Sequence, residues 1–72
     1  MRDNRKRAAD AAATLADYAG KSGDEGADDQ ERLTDLLADL MHFCKRNADR
    51  EDSPMDFDRA LETARIHFES EK

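Results

Sequence analysis

The stretch Leu33-Thr34-Asp35-Leu36-Leu37-Ala38-Asp39-Leu40-Met41-His42-Phe43-Cys44 decides the fold class of this chain. Leu33, Leu36, Leu37, Leu40 and Cys44 recur at i, i+3, i+4, i+7 and i+11, the spacing of one face of an α-helix. Met41 and Phe43 flank that face on opposite sides, which widens the apolar arc to about 160° at 100° per residue. One thin neighbouring helix would not cover so wide an arc. Opposite it runs a polar row, Asp35, Asp39, His42 and Arg46. With the acids that precede it, the helix is expected over about residues 29–47.

Working outward toward the C-terminus, Asn47 is a natural helix end and Pro54 marks a break. A third helix then starts either at Ser53, with Pro54 in its first turn, or at Asp56 as cap. Asp56 is preferred, because Phe57 then opens an apolar stripe of Phe57, Ala60, Leu61, Ala64 and Phe68. This helix is expected over about residues 56–70. Ile66 points away from the stripe. The short loop makes the two helices antiparallel neighbours, a helical hairpin.

Toward the N-terminus, all three glycines of the chain, Gly20, Gly23 and Gly26, fall in a polar and increasingly acidic connection over residues 20–28. Before it, seven alanines between Ala8 and Ala19 favour a helix over about residues 3–19, capped by Asp3 and ended by Gly20. Its apolar stripe is thin: Ala8, Ala11, Leu15 and Tyr18. The basic start, Arg2, Arg5, Lys6 and Arg7, sits at the unfavourable end of the helix dipole. The expected fold is all-α: one small domain over residues 1–72, a helical hairpin with an Ala-rich first helix packed on it or partly mobile.

Composition narrows the function. Charged residues make up 42% of 72, well above the usual quarter. A chain this short has a marginal core of its own, so either part of it stays unfolded or another chain completes the core, or both. Residues 8–72 hold eight basic and seventeen acidic groups, a net of −9. Such a body repels phosphate backbones and argues against direct nucleic-acid binding. Cys44, the single cysteine, cannot form an internal disulfide, which fits a reducing compartment. Asp10 and Asp17 interrupt the apolar run near the start, unlike a secretory core, and no segment approaches a membrane span. A cytoplasmic protein without membrane contact is expected.

Leu36-Leu37-Ala38-Asp39-Leu40-Met41-His42-Phe43-Cys44, Asp56-Phe57-Asp58-Arg59-Ala60-Leu61 and Ala64-Arg65-Ile66-His67-Phe68-Glu69 resemble the DLLxDLMH, DFxxAL and AxxHF pattern of a group of small helical phage and plasmid proteins. The resemblance covers about residues 33–71. It implies a mobile-element origin, hence the cytoplasm of a host cell, and brings no known activity.

Chemical readings fare poorly beside bland ones. His42 and Cys44 are two apart and point to different helix faces, and His67 with Glu71 would supply two ligands where a metal site needs more. No metal or other cofactor is expected. A seam between two helices offers no pocket and Cys44 has no evident activator, so no enzyme is expected. What remains is binding. Asp28, Asp29, Glu31, Asp35, Asp39 and His42, with Asp24 and Glu25 before them, form a surface fit for a basic groove made for DNA or RNA. The bland alternatives are a solvated face or acidity that serves solubility. Ile66, exposed and apolar, is a further candidate contact. The expected function is a non-catalytic, protein-binding inhibitor of a host defence complex, of the anti-CRISPR kind, acting on a nucleic-acid-binding effector. The rivals are a homo-oligomer, such as a homodimer built on the wide apolar arc, and an antitoxin-like partner binder.

Overall fold

The computed structural model describes residues 3–23 and 26–71. Arg2 of the basic start and Asp24 and Glu25 of the acidic connection lie outside them. The protein is all-α. Its elements are α1 (Asn4–Ser22), α2 (Asp29–Arg46) and α3 (Phe57–Glu71), with no strand among the described residues. The chain divides into two compact units, residues 1–37 and 38–72, and α2 contributes to both.

Each helix begins on an aspartate, for one physical reason. The first backbone N–H groups of a helix have no partner within it, and a short carboxylate can accept from them. Asp3 Oδ1 accepts from the Lys6 N–H at 2.8 Å, Asp28 Oδ1 from Glu31 at 2.8 Å and Asp56 Oδ1 from Arg59 at 3.0 Å. The preference for Asp56 over Ser53 therefore holds.

The other end of α1 departs from expectation. Gly20 lies inside the helix, which runs on to Ser22. The stop is Gly23, which takes the left-handed conformation (φ 77°) and donates its N–H to the Ala19 carbonyl. A left-handed residue is what ends the helical hydrogen-bond series, and only Gly23 of the three glycines has positive φ. Along α1 a Lys6–Asp10 ion pair at 3.0 Å links successive turns.

The first unit buries one side chain, Ala19, which is 2% exposed. Leu15, Tyr18, Ala27, Arg32 and Leu36 are half-buried. The stripe of α1 is thus displaced from the one expected: Ala8 and Ala11 are exposed, and the packing side centres on Leu15, Tyr18 and Ala19. Alanine at an early position gains little from burial, whereas Leu15 and Tyr18 carry large apolar surface and orient the helix.

In the second unit, Asn47 ends α2 and organises the loop. Its side-chain Nδ2 donates to the Phe43 carbonyl at 2.8 Å, satisfying one of the acceptors left open at a helix C-terminus. Its own carbonyl accepts from the Arg50 N–H at 3.3 Å and from the Met55 N–H at 3.1 Å. The last contact bridges eight residues and sets Met55 directly ahead of the Asp56 cap. Cys44 is the buried side chain here, 7% exposed, with Met55 and Phe57 half-buried. No residue of α3 is buried. Phe68 of the expected stripe is 62% exposed, as much as Ile66.

Candidate functional site

The acidic candidates divide between roles. In the first unit, Asp28, Asp29, Glu31 and Asp35 are all exposed. Asp28 is also the cap of α2, and its carbonyl accepts from the Arg32 N–H at 3.0 Å. Asp29 Oδ1 pairs with Arg32 Nη1 at 3.4 Å. Asp29 and Glu31 occupy the first turn, where negative charge meets the positive end of the helix dipole, so part of this acidity serves the helix itself. From residue 29 to residue 35 the helix rises about 9 Å, and at 100° per residue Glu31 and Asp35 project within about 40° of each other while Asp29 lies about 120° from Asp35. Arg32 offsets one of the four.

In the second unit, Asp39 and His42 are exposed on α2, and Ile66 is exposed on α3. His42 lies at an open groove of about 810 Å³, which the expectation of no pocket missed. Ala38, Met41, Cys44, Pro54, Met55 and Phe57 give the groove its apolar lining, and His42, Lys45, Asp56, Asp58 and Arg59 its polar one. It exists because the Asn47–Met55 contact draws the loop back beside the end of α2, while the Asp56 cap turns the chain into α3. Met55 immediately precedes a helix cap, the position of a hydrophobic staple; that is the signal in the sequence that could have found it. A shallower hollow of about 520 Å³ follows α3 from Pro54 to His67.

The groove brings Cys44 and His42 to one place but does not pair them. Two residues apart on a helix, they project about 160° from each other around the axis. Cys44 is buried and His42 exposed, an arrangement without the nucleophile–base contact that covalent catalysis uses. Among the described residues no group of three or more metal-ligating side chains gathers, and no helix is long and apolar enough to cross a membrane.

No family model, curated protein or solved structure matches the chain.

Proposed function

We propose that this chain is a non-catalytic binding protein whose acidic α2 N-terminus occupies a basic, nucleic-acid-binding surface on a partner protein. The observation that carries the reading is the exposure of Asp28, Asp29, Glu31 and Asp35 at the start of α2, with Glu31 and Asp35 on one side of the helix. A surface of that kind can displace the counterions of a basic groove as a phosphate backbone does. The partner class is a nucleic-acid-binding effector of a host defence complex, of the CRISPR kind. Support for that class comes from the likeness of residues 33–71 to phage and plasmid proteins and from the net charge of the body.

The test is competition. Full-length protein is titrated into a fluorescent-DNA complex of a host CRISPR effector at fixed ionic strength. DNA should be released, less so at higher salt. A Glu31→Lys, Asp35→Lys double variant reverses two exposed charges away from the Asp28 cap and should lose inhibition while keeping its helical spectrum. Unchanged DNA binding at saturating protein, across effector types, would sink the proposal.

A further inference from the structure

We infer that the groove and the shallower hollow of the second unit form one docking trough for an amphipathic helix of a partner protein, a helix that carries a carboxylate for Arg59. The two hollows share Pro54, Met55, Asp56 and Arg59 and so run into each other. One side of each helix lines them. At 100° per residue Ala38, Met41, His42 and Lys45 fall within an arc of about 100° on α2. Ala60, Thr63, Ala64 and His67 do the same on α3, with Arg59 at the edge of their arc. From Arg59 to His67 the trough follows α3 for about 12 Å. It is open along its length, so a small ligand would stay partly in water, whereas an amphipathic helix laid in it buries its own apolar side. Met41, 53% exposed, and Met55 supply flexible thioethers that adapt to an inserted side chain.

Charge commits the trough to an acidic occupant. Arg59 lies in the first turn of α3, where a cation meets the positive end of the helix dipole. Asp56 and Asp58 stand close to it in sequence, yet its guanidinium forms no ion pair among the described residues. Asp56 accepts from the Arg59 backbone N–H instead, as the cap of α3. Asp58 sits in the first turn, where the dipole meets its negative charge. Lys45 also lines the groove without an ion pair among the described residues, but it lies in the last turn of α2, where the dipole favours a cation. Arg59 is therefore the cation that its helix does not explain. A glutamate in its place would suit the dipole and complete a capping box with Asp56. What arginine offers there is a planar fork that binds a carboxylate through two parallel N–H bonds. The acidic residues 28–35 take no part in this contact.

The probe is a synthetic helical peptide of about four turns, with leucine and phenylalanine along one side and glutamates beside them. It is titrated into the isotope-labelled full chain and followed by amide shifts. No nucleic acid or effector is present, so the test stands apart from the proposed function. The glutamate peptide is expected to bind with a Kd of about 100 µM or tighter and to shift Lys45, Met55, Arg59 and Thr63. A matched peptide with lysines in place of the glutamates should bind about fivefold more weakly or worse. The net charge of −6 favours the opposite order, so this preference separates recognition at Arg59 from general attraction. Arg59→Glu should keep the helical spectrum, because an acid suits that position, and should reverse the order of the two peptides. Met41→Ser, at a residue half in water, should weaken both about fivefold. Decanoate, a small apolar acid, should bind more weakly than the glutamate peptide. No binding at about 1 mM glutamate peptide, a lysine peptide that binds as tightly, or an unchanged order in Arg59→Glu would each overturn the proposal. So would tighter binding of decanoate, or shifts confined to residues outside 38–67. Shifts at the trough that grow with protein concentration alone would place a second copy there and overturn it as well.

Discussion

Asp28 separates a structural from a functional acid in one position. Its carboxylate accepts from the Glu31 N–H at 2.8 Å and so caps α2, and it also belongs to the proposed acidic surface. Asparagine caps a helix about as well as aspartate but carries no charge, whereas alanine does neither. Asp28→Ala should lose the cap bond, about 1 kcal/mol, together with a few tenths for the charge at the dipole. Asp28→Asn should lose only the charge part, which is screened because the residue is exposed. For a domain of this size 1 kcal/mol moves the midpoint by about 4–8 °C, so the alanine variant should melt that far below the asparagine variant. The assay is thermal unfolding by circular dichroism, with every variant at the same protein concentration. In the effector competition the order should differ: both variants lose the same charge and should bind alike once folded. Equal midpoints for alanine and asparagine would refute the capping argument. An asparagine variant that inhibits as well as the parent would remove Asp28 from the binding surface and leave Glu31 and Asp35 to carry it.

The two glycines flanking the end of α1 should respond with opposite signs. Gly20 is helical with open space where a Cβ would sit, so Gly20→Ala should stabilise by about 0.5–1 kcal/mol in chemical denaturation. Gly23 has the same open space but φ 77°, so Gly23→Ala should destabilise by about 1 kcal/mol; equal effects at the two sites would contradict the placement of the helix end. Asn47→Ala removes the bond to the Phe43 carbonyl and should cost about 1 kcal/mol, read by the denaturation midpoint. Because Asn47 also holds Met55 through its backbone carbonyl, amide exchange at Met55 should change less than amide exchange at the last turn of α2.

Three helices could be read from the sequence because their signals are local. An aspartate before an apolar repeat, an alanine run and a proline break each act within a few residues, and Asp3 and Asp56 caps followed directly. The end of α1 was missed because glycine composition does not say which glycine is left-handed. Gly20, Gly23 and Gly26 look alike in sequence; the hydrogen bond from Gly23 to Ala19 distinguishes them only in three dimensions. The groove was missed for a similar reason. Its shape depends on the Asn47 carbonyl reaching Met55 across the loop, a backbone contact that the staple position of Met55 hints at but does not specify. Burial was the hardest part to foresee. The repeats of α2 and α3 mark Leu40, Leu61 and Phe68 as inward by period, yet all three stand exposed, because a period identifies a face without saying what covers it.

That separation of face from cover bears on how the two surfaces fit together. A helix can be apolar on one side and acidic on the other for two unrelated reasons, solubility of a packed element or service to two partners at once. If the apolar side were packed within the chain, the acidic side would need no function. Here Phe43 and Met41 remain about half in water, and the large apolar area of the second unit has no cover among the described residues. On the acidic side, Asp28 caps the helix and Asp29 and Glu31 sit in its first turn, while Asp35 lies beyond that turn, where the dipole has faded. A substitution on the exposed apolar side, such as Phe43→Ser, therefore separates the two cases: an acidic side acting alone would leave inhibition unchanged, whereas service of both sides to a partner would weaken it without touching any acidic residue.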